Sequence, residues 1–244
     1  MRTPSAQLLL NVWEAGRALP ASRRAVALLS AALPEIPVDD LLELSVGRRD
    51  ALILELHGLL FGPLLSATAA CPQCREDLQT DFRVKDVLRR GSAEVPGELS
   101  VVVGDQQCIL RLPRGDDLDA IADIQDVSTA ARKLLERCLI KASCRGQAIG
   151  HADLCDEMIA VVGRKMADAD PEADIQLVLR CPSCGHQWSS PFDSPAFLWS
   201  ELDGWARRVL REVHVLARQY GWREADILQM SALRRQLYMD MVDG

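Results

Sequence analysis

Two cysteine pairs, Cys71-Pro-Gln-Cys74 and Cys181-Pro-Ser-Cys184-Gly185, carry the clearest chemistry in this 244-residue chain. Two residues between cysteines form a tight turn with both thiolates on one side. Two such turns complete a tetrahedral set of four cysteines around one Zn²⁺, with Zn–S of about 2.3 Å. Gly185 supplies the left-handed residue that lets backbone N–H groups point at sulfur. The 106 residues between the pairs exceed ordinary zinc-ribbon spacing, so a shared site makes the intervening chain an insertion. Four protein ligands leave no open position for water, which makes such a metal structural and not catalytic. Reduced pairs without metal, or a redox pair, are the alternatives. A thioredoxin-like pair sits at a helix N-terminus inside a βαβ unit, whereas both pairs here lead into strands.

Other candidate groups are weaker. His151 and Cys155 stand at i, i+4 and could bind a second metal, but a helix-start His and a core-facing Cys account for them. His186 follows the second pair and could replace a thiolate, yet four thiolates already suffice. Cys108, Cys138 and Cys144 read as small hydrophobes. The acidic run Asp116, Asp117, Asp119, Asp123 and Asp126 lacks the Gly and final Glu of a calcium loop and reads as a solvated face. No nucleophile elbow, phosphate loop, dinucleotide fingerprint or H-E-x-x-H occurs, so the expectation is a protein without catalytic residues, not an enzyme.

The elements that must position the cysteines follow from periodicity. Residues 5–19 and 22–33 read as helices capped by Ser5 and Ser22, and a third helix runs from Ser45 to Gly62-Pro63, with Leu52, Leu56 and Leu59 as its buried stripe. A short apolar run enters the first pair, and Leu78, Thr80, Phe82 and Val84 alternate as a strand leaving it. Residues 90–98 read as a loop. Leu99–Val103 and Cys108–Leu112 form a hairpin with Gly104-Asp105 at its turn. Helices are expected over 116–124, 128–142 and 152–166, strands over 175–180 and 187–192 around the second pair, and helices over 197–220 and 223–242, with Ser231 a cap or kink in the last. The fold class is α+β: a helix-rich protein around a small β core with a split, zinc-ribbon-like four-cysteine site and a C-terminal helical module. Its regions are an N-terminal helical part (1–63), a split ribbon (64–194) with an inserted hairpin and helices (90–174), and the C-terminal module (195–244).

Composition narrows the class. With 48% hydrophobic and 26% charged residues, the chain can bury a core. Its 28 basic against 35 acidic residues give −7, the wrong sign for indiscriminate phosphate binding. No apolar stretch approaches the roughly 20 residues of a membrane span. The first residues lack the apolar core of a leader peptide, so a cytoplasmic location, or incorporation into an assembled particle, is expected.

Leu198, Leu202, Trp205, Val209, Val213, Leu216 and Tyr220 make one apolar stripe along a long helix. Trp199 stands off it, and Arg234-Arg235 lie beyond, so these three read as surplus to folding and suited to a protein contact. Seven Arg between 207 and 235 are matched by seven acids between 201 and 243, which argues against a phosphate track.

The segment Phe197-Leu198-Trp199-Ser200-Glu201, then Glu212-Val213-His214-Val215-Leu216-Ala217, Tyr220-Gly221-Trp222, Ile227 to Ser231, Arg234-Arg235 and Tyr238, resembles a helical module in baseplate proteins of T-even-type phages and related contractile injection systems. Gly47-Arg48-Arg49-Asp50, Phe61-Gly62-Pro63 and the two C-P-x-C turns resemble the longer zinc-containing members. The resemblance covers the last 50 residues best and the middle loosely. It implies a structural or assembly role, with baseplate, hub or spike proteins as partners and no membrane. A zinc-ribbon nucleic-acid-binding regulator is the alternative.

Overall fold

The computed structural model describes residues 1–88 and 96–243. Most of the loop expected over 90–98 lies outside them. The N-terminal sequence makes helices α1 (Ala6–Gly16), α2 (Ala21–Ala32), α3 (Val38–Leu42) and α4 (Val46–Phe61). Ser5 and Ser45 cap α1 and α4 as expected, accepting from the Leu8 and Arg48 amides. Ser22 does not cap α2. It lies buried in the first turn, and its hydroxyl donates to Asp119. Leu59 is exposed, because the buried face of α4 instead carries Leu52, Ile53, Leu54 and Leu56.

Strands β1 (Leu64–Ala70) and β2 (Asp77–Arg83) pair antiparallel around the first cysteine turn, and a single helical turn, α5 (Val84–Val87), follows. The inserted region forms β3 (Leu99–Val103), β4 (Gln106–Leu110), α6 (Gly115–Asp119), α7 (Val127–Cys138), β5 (Leu139–Cys144), β6 (Gln147–Ala148) and α8 (Asp156–Ala169). The β3–β4 turn is only Gly104-Asp105, with Gly104 at φ +56°, so Gln106 and Gln107 join the strand. Residues 139–142, expected to end the preceding helix, belong instead to β5, an interior strand in the order β3-β4-β5-β6. Its pairing with β4 outweighs a local pattern compatible with helix. Val101, Cys108, Leu110, Leu135, Met158 and Val162 form the core of this unit, where α7 and α8 meet the sheet.

The second cysteine turn lies between β7 (Gln176–Arg180) and β8 (Gln187–Pro191), another two-stranded antiparallel sheet. Then come α9 (Ser194–Tyr220), α10 (Glu224–Gln229) and α11 (Ala232–Asp243). The helix expected over 223–242 breaks at Met230, and Ser231 caps the restart by accepting from the Arg234 amide. Gly221, left-handed at φ +69°, ends α9 and folds Trp222 back onto Tyr220 at 4.5 Å between ring centroids; Tyr238 meets Trp222 edge-on.

The apolar stripe of α9 packs against the first helices of the chain. Leu198, Leu202, Ala206, Val209, Val213 and Leu216 share one core with Leu9, Trp13, Leu28, Leu29, Ile53 and Leu56. Both ends of the chain therefore build a single helical body, from which the inserted unit and the cysteine hairpins depart. Trp13 locks the junction, its Nε1 donating to Asp203 at 2.9 Å. The acidic run is not uniformly solvated. Asp117 is fully buried, accepting from Arg111, Arg137 and the Arg114 amide, while Asp126 caps α7.

Candidate metal centre

Each cysteine pair sits where a strand reverses, and the two turns have matching backbone bonding. The Cys71 amide donates to the Glu76 carbonyl at 2.9 Å and the Arg75 amide to the Cys71 carbonyl at 2.8 Å; in the second turn Cys181 donates to His186 at 2.8 Å and Gly185 to Cys181 at 3.0 Å. The residue after each second cysteine is left-handed, Gly185 at φ +74° and Arg75 at φ +62°. Only glycine takes that conformation without a Cβ penalty, so the first turn carries a strain that the second avoids. The sequence signalled this position at Gly185 alone; at Arg75 its signal is the match in spacing between the turns.

The two hairpins are brought together by an apolar cluster of Leu54, Leu65 and Ile175 with Phe82, Phe192 and Phe197. Phe82 meets Phe192 edge-on at 5.2 Å, and Phe192 lies 5.3 Å from Phe197 at the start of α9. The result places Cys71, Cys74, Cys181 and Cys184 with their sulfurs within 4.8 Å of one another. Cys71 and Cys184 approach to 3.7 Å, and Cys74 and Cys181 to 3.5 Å. Four thiolates about 2.3 Å from a tetrahedral zinc stand about 3.8 Å apart, so the donor set and its spacing fit that ion. Cys71 and Cys181 are buried, while Cys74 and Cys184 face solvent.

The electrostatics of the four sulfurs oppose one another. The Glu76 amide favours the Cys74 thiolate, but desolvation and the three neighbouring sulfurs outweigh it and push the thiol up to about 12. Cys181 is drawn down to about 7, chiefly by the Cys184 amide and then, against desolvation, by the Ser183 amide. Such N–H···S donors are the outer interactions that support metal-bound thiolates.

Among the described residues no other group of Cys, His, Asp and Glu converges in this way. His186 stacks on Trp188 and is outside the cluster. His151 and Cys155 do not share a helix: His151 opens a 3-10 turn, and Cys155 caps α8 through its sulfur. Cys108 and Cys138 are buried in the inserted unit.

The residues expected to contact a partner are placed differently from one another. Arg235 is not surplus to folding: it is buried, paired with Glu212 at 2.8 Å, and donates to the Met230 carbonyl. Trp199 is half-buried against Gly16, with the Arg24 guanidinium 5.0 Å over its ring. Arg234 is exposed, 5.8 Å over Tyr238.

No protein-family model, curated protein or solved structure matches the chain. Among the described residues no helix is long and apolar enough to cross a membrane.

Proposed function

We propose that this chain is a non-enzymatic structural or assembly protein of a contractile, phage-tail-like particle, that it binds baseplate or hub proteins, and that it carries one structural zinc. The observation that carries the structural half is the convergence of Cys71, Cys74, Cys181 and Cys184 from turns 106 residues apart into one four-thiol set. A bound zinc supplies a crosslink between the hairpins, with all four positions taken by protein and none open for substrate. The particle half rests on the resemblance of residues 197–238, in which the Tyr220-Gly221-Trp222 junction is the most distinctive feature.

Deleting the chain from a host that makes contractile particles tests the reading. Sheath and tube assembly without a completed baseplate, seen by electron microscopy and restored by the wild-type chain, is the expected outcome. Normal particles from the deletion strain overturn it.

A further inference from the structure

The acids of the C-terminal region do not cancel its arginines where the arginines lie. From Gly204 to Tyr220, α9 carries Arg207, Arg208, Arg211 and Arg218 against a single acid, Glu212. Glu212 is spent on the buried guanidinium of Arg235. Arg207, Arg211, His214 and Arg218 are exposed and follow one another at spacings of 4, 3 and 4, so they share one side of the helix over roughly 16 Å. Arg207 pairs with Asp203, whereas Arg211 and Arg218 have no ion-pair partner among the described residues.

Towards its N-terminus, α9 borders a slot of about 380 Å³ that it forms with the start of α2, lined by Ala21, Arg24, Pro195, Ala196 and Trp199, among others. The benzo edge of Trp199 rests on Gly16, where a side chain of any size would collide with it. Arg24 covers the Trp199 ring and is held there by donating to the Gly16 carbonyl at 3.1 Å. Asp203, the acid at the slot, already accepts from Trp13 and Arg207.

A largely apolar slot followed, past the Asp203–Arg207 pair, by two guanidiniums without ion-pair partners among the described residues is a chemical description of its occupant. We propose that this face docks an acidic segment of a partner protein, one large apolar side chain entering the slot beside Trp199 and carboxylates pairing with Arg211 and Arg218. The proposal rests on the assembly reading above and names the surface and the chemistry by which a partner is held. Single-stranded nucleic acid fits the face less well. It needs an open aromatic face for base stacking, and Arg24 occupies that of Trp199.

The test uses the full zinc-loaded chain and three labelled probes: a peptide of one Phe followed by Glu spaced with Ala, the same peptide with Gln for Glu, and an oligothymidylate of equal charge. The Glu peptide should bind, progressively less as salt rises, and the Gln peptide should not. Arg211→Glu with Arg218→Glu should weaken binding about tenfold or more while helicity and zinc content stay unchanged, since both side chains are exposed and unpaired. Equal binding of the Glu and Gln peptides, tighter binding of the oligothymidylate, or wild-type affinity in the double variant each overturns the proposal. Placing the double variant in the deletion strain separates the two readings. If particles require the chain but assemble normally with the variant, the docking face is wrong and the assembly role stands; if particles assemble without the chain, the assembly role itself is wrong.

Discussion

Asp50 shows how one residue can make stability depend on pH in an unexpected direction. Burial pushes its carboxyl up to about 6; Arg49, at 2.7 Å, opposes this, and Asp193 and Asp170 add to it. Asp50 and Asp170, from separate parts of the chain, thus both feel the charge of the one Arg49 guanidinium. Because the folded form holds the proton more tightly than the unfolded form, Asp50 contributes most below about pH 4, and its contribution falls as pH rises to about 6. Asp50→Asn removes that dependence. Its cost relative to wild type should therefore shrink by about 3 kcal/mol between pH 4 and 7, the equivalent of a two-unit shift. Urea denaturation of both proteins across that range measures it, and a cost independent of pH would refute the assignment. Asp117 acts with the opposite sign. Burial disfavours its charge, but Arg111, the Arg114 amide and Arg137 outweigh burial and hold the carboxyl low, so its contribution is lost in acid. The sequence offered the acids of both sites; it did not show which would be enclosed.

At the scale of elements, the break between α10 and α11 depends on Arg235 more than on the adjacent Arg234. Arg235 satisfies Glu212 on α9 and the Met230 carbonyl at the end of α10, so it ties three helices together. Arg235→Ala leaves Glu212 without its partner in a mostly buried position and should cost about 3 kcal/mol. Arg234→Ala, at an exposed site, should change stability by less than about 0.5 kcal/mol. Chemical denaturation of the two variants decides this, and equal costs would count against the buried pair. Adjacent arginines look alike in sequence, because helical rotation of about 100° per residue separates their faces only once the helix is docked. The long stripe of α9 was legible by its spacing, with two adjustments. Tyr220, at its end, is exposed. Ala206 and not Trp205 reaches full burial, because a small residue permits the close approach of neighbouring helices.

At the scale of the whole molecule, the main helical core contains none of the four clustered cysteines. Metal removal should therefore act locally. We expect one zinc per chain by elemental analysis under reducing conditions, and none in Cys184→Ser. Chelation should accelerate amide exchange in β1, β2, β7 and β8 while far-UV circular dichroism retains most of its helical signal. Cooperative loss of helix on chelation would mean that the clasp, and not the shared core of α1, α2, α4 and α9, holds the body together.

The α+β class, the strand on either side of each cysteine pair, the apolar face of α9 and the four residues that could share a metal are all legible along the chain. Each of these is encoded by local spacing, which the backbone geometry of helices, strands and tight turns converts directly into position. Tertiary packing alone brings the two ends of the chain into one body, pairs residues 139–144 as a strand, encloses Asp117 and Arg235, and leaves Arg211 and Arg218 of α9 facing solvent without ion-pair partners among the described residues. These outcomes depend on partners distant in sequence, 190 residues apart for Trp13 and Asp203 and 23 for Arg235 and Glu212. Burial and charge pairing are set by those distant neighbours and leave no periodic trace in the chain.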